Sequence, residues 1–228
     1  MTERVYDTAR SELLAFVPAA AKTLLDVGCG VGRYAQELRG VRPDLAIWAV
    51  EPDPENAALA KPHVDRLVDG FFPEVASALP PRTFDVITFN DVLEHMITPS
   101  QALRATRDLL APGGVVIAAI PNTRHRSVVW PLLRHGRWDY DKHGLLDHTH
   151  LRFFTRSTMV GLFLDLGWHV SAVAGVNKRW DWRETYERRL VRWGTAATRG
   201  RFDDYLCCQF VITASPPAGV PEERHTWV

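Results

Sequence analysis

Two short stretches of the chain place acidic and histidine side chains close together. Asp91, Glu94 and His95 form the pattern D-x-x-E-H, and His148 and His150 lie in the later run DHTH. Carboxylates and imidazoles bind divalent ions, and a histidine can also remove a proton from a reacting hydroxyl group. Asp91, His148 and His150 are therefore the candidate catalytic residues. A third interpretation, in which the histidines only support the structure, stays open.

A glycine-rich stretch, LLDVGCGVG, predicts a binding site for a nucleotide-type ligand. Its apolar start is typical of a buried strand, which ends at Asp26 before Gly28, Gly30 and Gly32 follow at every second position. Glycines let the backbone turn sharply and approach a ligand closely, and the helical pattern that follows adds a helix N-terminus. The spacing differs from the dinucleotide pattern G-x-G-x-x-G and from a phosphate loop, which ends in G-K-[ST].

Polar residues at the ends of the next two predicted strands extend this site. Glu51 follows the strand AIWAV and can accept hydrogen bonds from both hydroxyls of a ribose. The alternative is that Glu51 faces solvent beside a helix capped by Asp53. In the run LVDGFF, Asp69 and Gly70 form a turn where Asp69 can accept from an adenine amino group, and Phe71 can pack on the base. The alternative there is a plain turn with a phenylalanine in the core.

Strand and helix patterns alternate along the chain, which predicts an α/β fold of the Rossmann-like type. We expect a seven-stranded, mostly parallel sheet with helices on both faces and the last strand antiparallel, since no room remains for a further crossover. The predicted strands are Thr23–Val27, Ala46–Val50, Arg66–Val68, Phe84–Asn90, Val115–Ile120, His169–Val176 and Tyr205–Ala214. The predicted helices are Tyr6–Phe16, Arg33–Arg39, Pro54–Ala60, Pro99–Leu110, Arg156–Leu166 and Trp182–Thr198.

Two connections exceed what such a fold needs, namely residues 121–154 and 177–201. Long connections of this kind are often lids or binding loops, so we predict one domain over residues 1–215 with two lid insertions. The first insertion contains Trp130, Trp138 and Tyr140, whose aromatic faces suit a sugar ring. Residues 216–228 are predicted to be a loose C-terminal tail.

Five ordered stretches resemble the motifs of class I S-adenosylmethionine (SAM) methyltransferases: LLDVGCGVG, AVEPDP, VDGFF, FDVITFNDVLEH and LLAPGGVVIAAIPN. The resemblance covers Leu24 to about Val176. It implies that SAM is the cofactor and that its sulfonium methyl group points towards the loop after the fourth strand. The implied SAM-binding residues are Asp26, Gly28, Gly30, Gly32, Glu51, Asp69, Gly70, Phe71 and Asn90.

The D-x-x-E-H pattern together with a downstream histidine resembles ubiquinone-biosynthesis O-methyltransferases and small-RNA ribose methyltransferases. This resemblance implies a divalent ion such as Mg²⁺, held by Asp91, Glu94, His95 and His148. Asp91 stands where that family has a glutamate, and its shorter side chain reaches less far. A metal-free mechanism, with His148 or His150 as the base and oriented by Asp147, is the alternative.

Composition limits the classes of partner. Lys and Arg total 27, as do Asp and Glu, so the formal net charge is zero and a large nucleic-acid surface is not expected. The three cysteines form no disulfide framework or zinc spacing. No apolar run is long enough to span a membrane. We therefore expect a cytoplasmic protein with a small-molecule acceptor, and exposed apolar faces on the lid and the first helix favour a homodimer.

These patterns predict a SAM-dependent O-methyltransferase that acts on a small polar acceptor, with a sugar hydroxyl as the favoured group. One alternative is a metal-free methyltransferase for an amine or carboxylate of a secondary metabolite. Two others are a non-catalytic SAM-binding protein and a dinucleotide-dependent oxidoreductase.

Overall fold

The computed structural model of the protein describes residues 11–177 and 203–216. Within them, seven strands form one sheet: β1 (Thr23–Val27), β2 (Ala46–Glu51), β3 (Arg66–Asp69), β4 (Phe84–Asn90), β5 (Leu110–Pro121), β6 (His169–Val176) and β7 (Gln209–Ser215). The α-helices are α1 (Arg33–Val41), α2 (Pro54–Ala60), α3 (Pro99–Leu109), α4 (Arg126–His135) and α5 (Arg156–Asp165). Short 3-10 helices span Ser11–Phe16, Lys61–His63, Ala76–Ala78, Leu93–His95 and Asp203–Tyr205.

The sheet has the strand order β3-β2-β1-β4-β5-β7-β6. Strands β1 to β5 pair in parallel, whereas β7 runs antiparallel to both β5 and β6. The strand order reverses at β1, which pairs with β2 on one side and β4 on the other. In open α/β sheets, ligands bind beside the carboxyl ends of the strands at such a reversal. The predicted fold class is therefore confirmed, including the antiparallel last strand.

The central strands are apolar on both faces because helices cover the sheet on each side. Leu25 and Ile87 belong to one core cluster, whereas the neighbouring residues Leu24 and Val86 belong to the other. All four side chains are fully buried. The two cores hold the strands rigidly, so their carboxyl ends present polar residues at fixed positions.

Several predicted boundaries differ from the structure. The last strand begins at Gln209 and not at Tyr205, because the side-chain amide of Asn122 binds the preceding segment. Its Nδ2 donates to the carbonyl oxygens of Asp204 (2.6 Å) and Cys207 (2.9 Å). Strand β5 already begins at Leu110, which pairs with Phe84 before a register shift.

The helix α4 interrupts a connection that was predicted without secondary structure. His125 caps its first turn by accepting a hydrogen bond from the Ser127 amide, and Gly136 ends it in a left-handed conformation. Of the predicted first helix, residues 11–16 form a 3-10 helix and residues 6–10 lie outside the described part. The predicted helix 182–198, nearly all of the second insertion and the tail after residue 216 also lie outside it.

No helix in residues 11–177 and 203–216 has the length and apolar character needed to cross a membrane.

Candidate active site

The glycine turn lies at the carboxyl end of β1 and is closely packed from two sides. Gly28 and Gly32 have φ angles of 70° and 80°, in the left-handed region that favours glycine. A Cβ on Gly28 would lie 2.7 Å from Cγ2 of Val92, and one on Gly32 would lie 2.9 Å from Cα of Ala60. Glycine is therefore required at both positions for the turn to pack against Val92 and Ala60.

Glu51, at the end of β2, connects this turn to the next helix. Its Oε2 accepts a hydrogen bond from the Gly30 amide at 2.7 Å, and its Oε1 accepts one from the Asp53 amide at 3.1 Å. Asp53 caps α2 by accepting from two backbone amides, so Glu51 is not needed as a helix cap. Glu51 is buried, and this burial raises the pKa of its carboxyl group. Each carboxylate oxygen retains capacity for a further hydrogen bond, as ribose binding requires.

Asp26 is buried beneath the turn. Its Oδ1 accepts hydrogen bonds from Oγ1 of Thr88 (2.7 Å) and Nδ2 of Asn90 (3.3 Å). Burial raises its pKa to about 7, and the nearby charge of Glu51 adds to the shift, while the two hydrogen bonds oppose it. Asp26 and Asn90 thus share one hydrogen-bonded cluster across β1 and β4.

The end of β3 presents two of the predicted base-binding residues at the surface. Asp69 is exposed, and Phe71 is 69% exposed. Phe72 instead fills the core and packs edge-on against Phe89, with ring centroids 5.9 Å apart. Gly70, between strand and phenylalanine, has a φ of 135° and would clash with Val75 if it carried a Cβ.

The loop after β4 lies directly against the glycine turn. Asp91 has a φ of 54°, and its amide donates to the carbonyl oxygen of Ala119 at 3.0 Å. The following residue, Val92, covers Gly28. The next residues form the 3-10 helix Leu93–His95, so the D-x-x-E-H motif begins at the wall of the glycine turn.

Glu94, His95 and His150 come together beside this loop. One potential ligand atom from each residue lies within 4.8 Å of the others. Within the part of the chain that the structure describes, these three residues form a group that could hold a metal ion. The amides of Leu151 and Arg152 donate to the carbonyl oxygen of Glu94 at 2.9 and 3.0 Å. Those backbone contacts dock the segment carrying His150 onto the D-x-x-E-H loop.

Both imidazoles are oriented by backbone carbonyl groups. The Nδ1 atom of His95 lies 3.2 Å from the carbonyl oxygen of Thr149, and that of His150 lies 3.3 Å from the carbonyl oxygen of Leu145. A proton on each Nδ1 leaves Nε2 with the lone pair that binds a metal ion. Burial lowers the pKa of both histidines, which favours the neutral form that ligation requires.

Two residues of the predicted ion set lie elsewhere. The side chain of His148 is 64% exposed, with its Nδ1 3.5 Å from Oδ1 of Asp147. The carboxylate of Asp91 accepts a hydrogen bond from Nε2 of Gln209 on β7. The structure therefore groups His150, and not His148, with Glu94 and His95.

An aromatic patch, formed by Trp138, Tyr140 and Phe153, adjoins the three-residue group. The ring centroid of Phe153 lies 6.3 Å from that of His150, 5.3 Å from Trp138 and 6.1 Å from Tyr140. Tyr140 is 58% exposed, so part of this patch is open to a ligand. Trp130 lies apart from it on α4 and is also exposed.

Sequence reasoning missed Val92, Asn177 and Gln209 as residues of this edge. Gln209 is 118 positions from its partner Asp91, and Asn177 donates to Gln209 from the end of β6. Neither residue belongs to a local motif, so the sequence carries no signal for the contact. Val92 could have been identified, because it directly follows Asn90 and Asp91 in the motif of the fourth strand.

Comparison with known proteins identifies the family. A family model for a methyltransferase domain matches residues 1–173. This chain belongs to that family. The motifs and the fold further make it a class I SAM-dependent methyltransferase, as predicted from the sequence.

Similar proteins agree with this assignment. The methyltransferase is 31% identical over 156 residues to a Psychrobacter cryohalolentis protein named ubiquinone biosynthesis O-methyltransferase, covering 61% of this chain and 60% of that protein. A protein of the same name from Cereibacter sphaeroides is 30% identical over 131 residues, covering 56% of this chain and 52% of that protein. The chain thus spans 60% and 52% of the lengths of these curated relatives.

A solved SAM-dependent methyltransferase from Archaeoglobus fulgidus has the same fold. It aligns with a TM-score of 0.65 and 16% sequence identity, covering 90% of this chain and 91% of that chain. At this identity the likeness concerns the fold alone.

The donor edge of the methyltransferase fits SAM. The Gly28–Gly32 turn packs so closely on Val92 and Ala60 that neither glycine has room for a Cβ, and Glu51 offers carboxylate oxygens beside the turn. Asp26 and Asn90 supply further polar groups at the same edge. SAM is the cofactor of this family, and the predicted SAM-binding residues Asp26, Glu51 and Asn90 lie at this edge.

Proposed function

We propose that this methyltransferase transfers the methyl group of SAM to a hydroxyl group of a small acceptor, with a divalent ion held by Glu94, His95 and His150. The observation that carries the proposal is the grouping of these three side chains next to the loop that covers the glycine turn. SAM, when bound, supplies a methyl group activated on a sulfonium. The protein has to position the acceptor and prepare its oxygen for attack.

An oxygen acceptor explains why a methyltransferase would carry such a group. A hydroxyl is a weak nucleophile until its proton is removed, and a bound ion lowers its pKa for that purpose. An amine needs only its neutral form and gains little from an ion. Two neutral imidazoles and one carboxylate form a donor set suited to a divalent metal ion. His95, His150 and Glu94 would hold the ion, and their backbone contacts would fix its position.

The names of the similar proteins favour a phenolic hydroxyl over the sugar hydroxyl expected from the sequence, and an aromatic patch is compatible with it. The aromatic patch of Trp138, Tyr140 and Phe153 adjoins His150 and can pack against a flat ring. The similar proteins from Psychrobacter and Cereibacter are named for O-methylation in ubiquinone biosynthesis. An aromatic face also suits a sugar, so sugars belong in the same test.

The test is a turnover screen with labelled SAM over phenols with adjacent hydroxyls, simple sugars and amines, each with Mg²⁺ and with a chelator. We expect turnover on a phenol that the chelator removes. In Glu94→Gln, that turnover should fall by about a hundredfold or more, while SAM affinity stays within about threefold.

The matched control is Glu55→Gln, an exposed carboxylate on α2, which should behave as the unmodified protein. Turnover that persists in chelator and in Glu94→Gln would reject the ion-assisted mechanism and favour a histidine base. Transfer to amines alone would reject O-methylation.

A further inference from the structure

Four polar side chains form a hydrogen-bonded chain behind the loop that follows β4. We propose that Gln209, in the middle of this chain, is a positioning residue for the SAM site. Its effect on turnover rests on the proposed function, whereas its effect on cofactor binding requires only that the protein binds SAM.

The contacts of Gln209 use both ends of its amide. Nε2 donates to Oδ1 of Asp91, and Oε1 accepts from Nδ2 of Asn177 at 2.6 Å. Nδ2 of Asn177 also lies 3.0 Å from Oε1 of Glu12. Gln209 is only 8% exposed, so a change that removes either bond leaves a buried polar group without its partner. The amide is therefore held in one orientation by groups on two different elements.

The contacts of Asp91 hold its backbone in a left-handed conformation. Its φ of 54° carries a cost in free energy that is smaller for aspartate than for most residues other than glycine, because the short polar side chain can hydrogen-bond to nearby groups. The amide of Asp91 is fixed by the carbonyl oxygen of Ala119 on β5, and its carboxylate is fixed by Gln209 on β7. Since β5 and β7 are paired, these two contacts act from one rigid part of the sheet.

The neighbours of Asp91 connect this conformation to the cofactor. Asn90, one residue before, donates to the buried carboxylate of Asp26. Val92, one residue after, covers the backbone of Gly28. A shift of Asp91 would therefore move both walls of the donor site at once. Gln209 therefore affects the SAM site by holding Asp91 in place, without contacting the cofactor.

The same row of hydrogen bonds also connects two outer segments of the protein to this edge. Asn177 follows β6 and also has a positive φ of 53°, and Glu12 lies in the 3-10 helix Ser11–Phe16. Asn177 is exposed, so the outer end of the chain is accessible to solvent while Gln209 is not. We expect the effect of a substitution to decrease from Gln209 to Asn177.

The experiment exchanges the donor and acceptor of the central bond. Gln209→Glu places a second carboxylate against Asp91, and we expect it to weaken SAM binding about tenfold or more in calorimetry. A double variant adds Asp91→Asn to Gln209→Glu, so that a side-chain amide again faces a carboxylate and the net charge of the protein is unchanged. The double variant should therefore bind SAM within about threefold of the unmodified protein. Gln101→Glu, at an exposed position on α3, is the matched control and should leave affinity unchanged.

Two outcomes would overturn the inference: SAM affinity of Gln209→Glu within about threefold of the unmodified protein, or a double variant that binds no better than Gln209→Glu alone. Thermal unfolding of each variant shows whether it folds. If Gln209→Glu does not fold, Asn177→Ala decides instead, with about threefold weaker SAM binding expected and no change counting against the inference. Calorimetry with SAM needs neither acceptor nor ion, so a failure here is separate from a failure of the proposed O-methylation.

Discussion

The two sides of the candidate active site are built in different ways. The donor side consists of a glycine turn and polar residues at the ends of neighbouring parallel strands, from Asp26 on β1 to Asn90 on β4, and each of them is placed by the strand that it ends. The acceptor side joins Glu94 and His95 to His150, more than fifty residues later, through backbone contacts between loops. The donor is the same molecule throughout the family, so a local motif can encode its site. The acceptor side has to be assembled by tertiary contacts, and substitutions should affect the two sides separately.

The largest effect is expected from filling the donor turn. In Gly32→Ala, the new Cβ would lie 2.9 Å from Cα of Ala60 at a φ of 80°. We expect the free energy of unfolding to fall by about 2–4 kcal/mol and SAM binding to weaken about a hundredfold or more. Chemical unfolding and calorimetry measure the two effects. Gly40→Ala, in α1 with open space around it, is the control and should be neutral or slightly stabilising. Equal behaviour of the two variants would contradict the packing argument.

A comparison of two histidines should separate the acceptor side from the donor side. His150→Ala removes one of the three grouped side chains, and turnover should fall about a hundredfold or more with little change in SAM affinity. His148→Ala changes an exposed side chain and should keep turnover within about threefold. Steady-state kinetics and SAM titration of both variants provide the measurement. The reverse ranking would favour the ion set predicted from the sequence, with His148 as the ligand.

Glu51 offers the complementary test on the donor side. Glu51→Gln replaces one carboxylate oxygen by an amide group that cannot accept a hydrogen bond from a backbone amide or a ribose hydroxyl. SAM affinity should fall about tenfold to a hundredfold, while the KM for the acceptor is unchanged. Glu55→Gln is the control, since Glu55 is exposed on the adjacent helix. A change confined to the acceptor KM would show that Glu51 does not serve the donor.

The smallest effect concerns the pH dependence of stability. The pKa of Asp26 is raised from 3.8 to about 7 in the folded protein, so the folded state retains a proton that the unfolded chain has lost. The stabilisation from this group is present at low pH and is lost as the pH rises through about 7. Asp26→Asn should therefore flatten the decline of unfolding free energy between about pH 4 and 7, as measured by chemical unfolding. Asp165→Asn, at an exposed position, should leave the slope unchanged. An unaltered slope in Asp26→Asn would show that the proton resides elsewhere.

Local patterns predicted the parts of the fold whose structure depends on neighbouring residues. Buried strands such as Thr23–Val27 were located correctly because an apolar run bounded by turn residues has few other solutions. The start of β7 was predicted four residues too early, because Asn122 binds the carbonyl groups of Asp204 and Cys207 from more than eighty residues away. Helix α4 was missed because it contains Pro131, which is unfavourable inside a helix, and its segment was interpreted as a loop.

The sequence by itself determined the family and the cofactor, and it predicted the donor edge, because each glycine and carboxylate of that edge lies beside the strand that positions it. Only the tertiary structure decided which histidine joins Glu94 and His95, and that Gln209 holds Asp91. Both contacts depend on how separate segments fold back onto one edge of the sheet. His148 and His150 both lie in the run DHTH, so the local sequence does not distinguish them. The amides of Leu151 and Arg152 donate to the carbonyl oxygen of Glu94, and these contacts bring His150 into the group.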